Sequence, residues 1–165
     1  MTVIAAVMVA FALTLAVKSG KLGIFGTVIQ ISRVSAVIEE AEEAIEAGDA
    51  GRFVALFADD FNWQGVTYSR LKEAGPGLLR SLLPAEISIK KKKIEVDRLR
   101  ARATIDAAST HRIQSDLEVR SQSRWRVDFV NREGEWKIDR VTNISIDNHE
   151  GYRLDALMRH LGESY

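Results

Sequence analysis

The stretch that decides the fold reads AIEAGD at residues 44–49 and FVALFADDF at residues 53–61. Gly48 is a natural end for a helix, because glycine readily adopts the left-handed conformation that closes one. Asp49 can then cap a second helix by accepting hydrogen bonds from its first free amides. We predict that this second helix carries Phe53, Leu56 and Phe57 on one face, ends at Asp59-Asp60, and is followed by a short strand over residues 61–65.

Helical patterns lie on both sides of this stretch. From Ile31 onward, apolar residues recur at three- and four-residue spacing while glutamates occupy the other face, which predicts an amphipathic helix ending at Gly48. Ser69 is the expected cap of a third, leucine-rich helix. We expect a break or a kink in it at Gly75-Pro76-Gly77, because proline removes a backbone hydrogen bond and clashes with the preceding turn.

The second half of the chain alternates polar and apolar residues, most clearly between Leu117 and Phe129. Residues 131–134 predict a hairpin turn, and a phase shift at Val141 in the returning strand predicts a bulge. A short helix is expected over residues 152–161. Helices followed by antiparallel strands predict an α+β domain with its N-terminal helices packed on a curled, cone-shaped sheet.

The order of helix, Gly-Asp, short helix, Ala-Asp-Asp and short strand at residues 44–61 resembles the opening of the nuclear transport factor 2-like superfamily, which includes ketosteroid-isomerase-like and SnoaL-like proteins. The hairpin at residues 134–141 resembles its last strand. The resemblance covers roughly residues 31–147 and implies the cone fold. It does not imply one activity, because such folds host isomerases, dehydratases, cyclases, transport adaptors and non-catalytic domains.

Two positions depart from the isomerase pattern. The position that matches the general base is Gly65, and the position that matches a carbonyl-polarising tyrosine is Ala41. Isomerase chemistry needs a group to take the proton and a donor to hold the oxyanion, and neither residue provides one. We therefore expect a non-enzymatic domain for protein interaction or for binding a small apolar ligand. The alternative is a cyclase, dehydratase or isomerase that uses Asp60 or another carboxylate in the cone.

Five aromatic residues are candidates for the wall of the cone. They line an apolar ligand pocket if a gap remains between sheet and helices, and they form ordinary core if no gap remains. They are Phe57, Trp63, Trp125, Phe129 and Trp136.

Charge and composition exclude several classes of partner. The formal net charge is zero, so we expect no nucleic-acid binding, and the absence of cysteine removes thiol nucleophiles and cysteine-zinc sites. We expect no metal and no cofactor, and residues 147–150 are interpreted as a solvated turn. Lys90–Lys93 fit an exposed edge strand, and the arginines between residues 98 and 126 fit a self-neutralising sheet face. The superfamily resemblance implies a possible homodimer through the open sheet face.

The N-terminal segment is apolar and runs without a charge from Val3 to Val17. We divide the chain into this segment, residues 1–28, and a domain over residues 29–165. The segment is predicted to be a membrane anchor; a cleaved signal peptide and a helix packed against protein are the alternatives. Lys18, Lys21 and Arg33 follow the run, which favours the cytoplasmic side for the domain.

Overall fold

The computed structural model describes residues 21–82, 85–114, 117–151 and 153, and contains three helices and seven strands in those ranges. The helices are α1 (Lys21–Glu46), α2 (Ala50–Ala55) and α3 (Tyr68–Leu82). The strands are β1 (Asn62–Trp63), β2 (Val66–Thr67), β3 (Ala85–Asp97), β4 (Arg100–Gln114), β5 (Leu117–Arg132), β6 (Glu135–Ile146) and β7 (His149–Glu150). The predicted α+β class is confirmed. The expected helix at residues 152–161 and the apolar run at residues 3–17 lie outside the described residues.

Helix α1 follows the predicted periodicity and already includes Lys21, ten residues before the expected start at Ile31. Val34 and Ile38 are buried against the sheet, while the glutamates face outward. The helix continues through the boundary predicted at residues 28/29. No helix in the described ranges is long and apolar enough to cross a membrane.

The junction between α1 and α2 confirms the predicted roles of its two residues. Gly48 has φ +66°, in the left-handed region where a side chain is disfavoured. The Asp49 carboxylate accepts a hydrogen bond from the backbone N–H of Arg52 at 2.9 Å, which caps α2. Helix α2 ends at Ala55, so the prediction that it includes Leu56 and Phe57 is wrong.

That early end has a structural reason, because the next residues pair with the sheet. The backbone N–H of Ile138 donates to the carbonyl of Leu56 at 2.8 Å, and the N–H of Ala58 donates to the carbonyl of Ile138 at 3.0 Å. Phe57 forms an isolated parallel bridge with Ile138. Residues 56–58 therefore cover the edge of β6 and hold Phe57 against the core.

Helix α3 corrects two predictions. It runs through Pro76 without the expected break, because Leu71 and Leu79 on either side are both buried and hold one continuous rod. Its N-terminus is capped by Thr67, whose hydroxyl accepts from the N–H of Arg70 at 3.3 Å, and not by Ser69. Gly75 permits close packing on α2, since an added Cβ would lie 3.2 Å from a methyl group of Val54.

Strands β3 to β7 form one antiparallel sheet in sequence order. The predicted β5–β6 turn is confirmed, with Glu133 and Gly134 both at positive φ. The register of β6 shifts at two places, which leaves Asp139 and Ile144 as the extra residues. The bulge predicted at Val141 is therefore replaced by one on each side of it.

The face of the sheet that packs on the helices, the inner face, carries the core. Its members alternate along the strands with the charged residues of the outer face. Those from the sheet are Ala101, Ala103, Ile105, Val127, Phe129, Trp136 and Ile138; those from the helices and connections are Val34, Ile38, Leu56, Phe57, Phe61, Val66 and Leu71.

Candidate functional site

Three of the five predicted wall residues, Phe57, Phe129 and Trp136, are buried in the core; we call them the plug. Phe129 is 2% exposed and Trp136 5% exposed. Phe57 contacts the rings of Phe53 and Phe61 edge to face, with centroids 5.3 and 5.0 Å away. The plug fills the inner face where β5 and β6 approach their shared hairpin turn.

The one polar atom of the plug side chains, the indole nitrogen of Trp136, has a partner. Its Nε1–H donates to the Oε1 of Gln30 on α1 at 2.8 Å. The bond satisfies a donor that would otherwise be buried without an acceptor, and it fixes the start of α1 against β6. Sequence reasoning missed Gln30. Its position one turn before Val34 on the apolar face of α1 was the available signal.

The other two predicted wall residues, Trp63 and Trp125, pack at the margin of the core and stay half-buried; we call them the rim. The Trp125 Nε1–H donates to the Ser123 hydroxyl at 2.8 Å. The Trp63 Nε1 is buried and has no hydrogen-bond partner in the described part of the chain. The guanidinium of Arg140 lies 4.9 Å from the centroid of the Trp63 ring, close enough for a cation–π contact.

Asp60, the candidate base, lies outside the inner face. It is exposed, and its carboxylate forms an ion pair with Arg132 at 2.5 Å. The neighbouring Asp59 lines a surface cleft of about 640 Å³ between residues 57–59 and the β5–β6 turn. The polar side chains around this cleft come from Arg132, Glu133, Glu135 and Lys137. It is therefore a charged surface feature and not the interior of the cone.

The inner face offers little chemistry. Among the side chains whose burial the structure describes, Asn143, opposite Trp125 in the sheet register, is the only polar one that is buried. Gly65, at the position of the isomerase base, occupies a turn with φ +80°. Ala41, at the position of the tyrosine, packs against the core. His149 is exposed on β7, and the side chains of His111 and His160 lie outside the described part. Residues 147–150 form a turn and a two-residue strand, as interpreted from the sequence.

Opposite charges pair across the outer face of the sheet. Arg102 bonds Asp128 and Arg124 bonds Asp106, each at 2.6 Å, and these bonds raise the pKa of both guanidinium groups. The pairing agrees with the predicted self-neutralising surface. Whether two copies of the chain associate through this face stays a prediction.

At the edge of the sheet, β3 is covered by α1. Lys92 bonds Glu39 at 2.5 Å, and this hydrogen bond lowers the pKa of the Glu39 carboxyl. The backbone N–H of Ile89 donates to Glu42 at 3.1 Å, so a carboxylate caps one of the unpaired edge groups. The predicted edge position of β3 is confirmed, but α1 covers this edge; the side chains of Lys90, Lys92 and Lys93 are exposed.

The described residues contain no group of three or more potential metal-ligating side chains. The expectation that the protein has no metal and no cofactor stays a prediction.

Comparison with known proteins identifies the fold. No protein-family model and no curated protein sequence matches the chain. Among solved structures, it is similar to a protein of unknown function from Mycobacterium tuberculosis, with a TM-score of 0.61 and 18% identity over 81% of this chain and 86% of that one. It is similar to a proposed scytalone dehydratase from Novosphingobium aromaticivorans, with a TM-score of 0.62 and 11% identity over 76% and 91%.

A third similar structure is a proposed dehydratase of the nuclear transport factor 2-like family from Streptomyces avermitilis, with a TM-score of 0.55 and 13% identity over 67% of this chain and 92% of that one. The superfamily resemblance drawn from residues 44–61 and 134–141 is confirmed at the level of fold. At these identities the likeness concerns the fold and leaves the activity open.

Proposed function

We propose that this chain is a non-enzymatic, membrane-tethered domain that acts through its surface and not through a catalytic cone. The observation that carries the proposal is the plug: Phe57, Phe129 and Trp136 are buried and packed on the inner face near the β5–β6 turn. A filled, apolar interior stabilises a scaffold, whereas an active site needs space and convergent polar groups.

The chemistry of the inner face supports the same proposal. A general base must lie within hydrogen-bond reach of the proton it removes. Asp60 is exposed and paired with Arg132, and the positions of the isomerase base and tyrosine hold Gly65 and Ala41. The competing function, a dehydratase or cyclase using a carboxylate, is favoured by the descriptions of two of the similar proteins.

A second candidate function rests on the rim. Trp63 presents a buried N–H without an acceptor, beside apolar surface that is only half covered. An unpaired buried donor costs stability unless another molecule completes it. The rim therefore fits a small ligand with an apolar body and one hydrogen-bond acceptor, such as a ketone.

One experiment separates the plugged scaffold from the ligand-binding rim. The chain has three tryptophans, so a ¹H–¹⁵N spectrum of the full-length protein has only three indole N–H signals to assign, each by a Trp→Phe variant. The protein is titrated with 1-indanone and with indane, the same ring system without the carbonyl. Phe129→Ala serves as the positive control, because a cavity opened in an apolar core can bind a small hydrocarbon.

The plugged scaffold predicts that neither compound shifts the wild-type signals, while indane shifts those of Phe129→Ala. The rim hypothesis predicts that indanone alone moves the Trp63 signal, and that Trp63→Phe weakens indanone binding by about tenfold, the usual effect of one pocket contact. Indane binding to the wild type would contradict the plug and reopen the enzymatic alternative.

The tether is tested separately, by membrane fractionation. The full-length chain is expected to stay in the membrane pellet after alkaline carbonate washing. Val9→Arg combined with Leu13→Arg should release it, because each arginine at the centre of a spanning helix costs about 2.5–3.5 kcal/mol. Gln122→Arg, an added charge on the exposed outer face, is the matched control. Release of the wild type by carbonate would end the tethering proposal and leave the plug untouched.

A further inference from the structure

The exposed apolar side chains of this protein are gathered at one end. Of the described side chains, the exposed large hydrophobic ones are Val28, Ile29 and Leu99, at 56%, 53% and 64% exposure. Single exposed apolar residues scattered over a surface are ordinary and need no explanation. These three are not scattered, although they are about seventy residues apart in the chain.

Hydrogen bonds connect the three through the end of the sheet. Leu99 lies in the β3–β4 turn, and its carbonyl accepts from the N–H of Asn131 at 2.8 Å. Asn131 is the register partner of Trp136, whose indole donates to Gln30 at 2.8 Å. Val28 and Ile29 immediately precede Gln30 on α1. We call this end, with the β3–β4 and β5–β6 turns and the start of α1, the hairpin end.

The direction of α1 places the N-terminal segment at the same end. Toward its other end, α1 contacts β3 at Lys92 and Ile89, through Glu39 and Glu42. Its start therefore points past the hairpin turns, and the eight residues before Ile29 in α1 extend by about 12 Å at 1.5 Å per residue. In the sequence, the apolar run at residues 3–17 ends four residues before Lys21, the first described residue of α1.

We propose that the hairpin end rests on the surface of a phospholipid bilayer, with Leu99 inserted at the level of the headgroups and Val28 and Ile29 beside it. This inference rests on the tethering part of the proposed function. The occupant is a bilayer, because the apolar run directly precedes in sequence the described start of α1, which lies at this end, and a lipid surface covers apolar residues from separate elements together. Arg98 and Arg100 flank Leu99 in the chain and are both exposed, and their long side chains suit contact with lipid phosphates, although Arg100 also forms an ion pair with Asp139 at 4.0 Å.

The conformation of the turn supports this assignment. Arg98 has φ +51°, an uncommon backbone conformation for a residue other than glycine, asparagine or aspartate. Asparagine or glycine at that position would form the same two-residue turn without strain. The turn thus presents a leucine between two arginines, a combination that matches the apolar and anionic layers of a membrane interface.

Because the chain has no cysteine, the proposal can be tested with single labelled sites in the full-length protein. Val28→Cys, Leu99→Cys and Gln122→Cys each receive an environment-sensitive nitrobenzoxadiazole fluorophore. Gln122 lies on the exposed outer face away from the hairpin end and is the matched control. The proteins are reconstituted into phosphatidylcholine–phosphatidylserine vesicles with and without a lipid that carries a shallow nitroxide quencher.

The proposal predicts that the labels at 28 and 99 shift to the blue and lose most of their emission to the quencher, because interfacial side chains lie about 5–10 Å into the headgroup and acyl boundary. The label at 122 should show neither effect. A quenched label at 28 with an unquenched label at 99 would overturn the inference and leave the tether intact. Failure of the protein to associate with vesicles would instead end the tether. A blue shift in the emission of the label at 99 that occurs without vesicles and grows with protein concentration would overturn the proposal. It would mean that the hairpin end contacts a second copy of the chain.

Discussion

The plug and the rim are both built from aromatic residues, yet the structure treats them differently. Phe129 and Trp136 of the plug lie on the five-stranded sheet, whereas Trp63 of the rim lies on the small β1–β2 sheet. Trp136 is buried and its indole N–H is bonded to Gln30, whereas Trp63 is half-buried and its indole N–H has no partner in the described part. A buried donor with an acceptor stabilises the fold, while a buried donor without one costs stability and is available for a hydrogen bond with a ligand. Burial separates the plug from the rim, and within the rim Trp63 differs from Trp125, whose indole N–H is bonded to Ser123.

The largest expected difference between plug and rim is in stability, and it is tested by truncating one side chain from each region. Phe129→Ala should lower the free energy of unfolding by about 3–5 kcal/mol, because a large buried ring leaves a cavity in packed surroundings. Trp125→Ala should cost about half as much or less, since part of that side chain is already in water. Urea denaturation measures both. If the two variants lose equal stability with unchanged m-values, the rim is core and the distinction fails.

The next largest effect concerns the hydrogen bond of the plug. Gln30→Leu keeps the size of the side chain but leaves the buried Trp136 N–H without its acceptor, which should cost about 1–3 kcal/mol. In the background of Trp136→Phe, which removes the donor, the same substitution should cost much less. Four urea curves complete this cycle. An equal cost in both backgrounds would mean that Gln30 acts by packing alone, and the contrast with Trp63 would lose its basis.

The smallest expected effect lies at the surface, where neither region is involved. The Lys92 hydrogen bond lowers the pKa of Glu39 from its ordinary value of 4.5. A carboxyl whose pKa is lower in the folded chain contributes stability that is fully present above the unfolded pKa and is lost as the pH falls through the folded pKa. Glu39→Gln should therefore lower the melting temperature slightly at pH 7, and the difference should shrink as the pH falls below 4.5 and through the lower folded pKa.

Salt and a neighbouring variant provide the controls for Glu39. The difference should shrink in molar salt, because exposed ion pairs are screened. Glu73→Gln, on the exposed face of α3, should change neither the melting temperature nor its pH dependence. A Glu39→Gln difference that persists at low pH would point to a packing role for this side chain.

Local signals predicted the elements whose causes are local. Gly48 and Asp49 close one helix and start the next through their own backbone and side-chain geometry, and both predictions are confirmed. The turn at residues 133–134 and the strand β5 were also predicted correctly. The strand was recognisable because side chains in a strand alternate with period two. These features sufficed for the α+β class and for the resemblance to the superfamily.

The errors arose where long-range contacts overrode local preference. Proline at position 76 predicts a broken helix, but Leu71 and Leu79 are buried on either side of it, and the helix is continuous. Leu56 and Phe57 fit a helical face, but the open edge of β6 takes their backbone into pairing with Ile138. Residue types differ in helix propensity by no more than about 3 kcal/mol. Core packing and strand pairing can contribute more than that difference.

The sequence by itself determined the order of helices and strands, the junction at Gly48 and Asp49, and the turn at residues 133–134, and by resemblance it placed Ala41 and Gly65 where an isomerase has its tyrosine and its base. Only the tertiary structure decided which aromatics are plug and which are rim, that Asp60 lies outside the inner face, and that Val28, Ile29 and Leu99 are left exposed. The reason is physical: caps and alternation depend on neighbours within a few residues, whereas burial and donor satisfaction depend on atoms that folding brings together from distant parts of the chain.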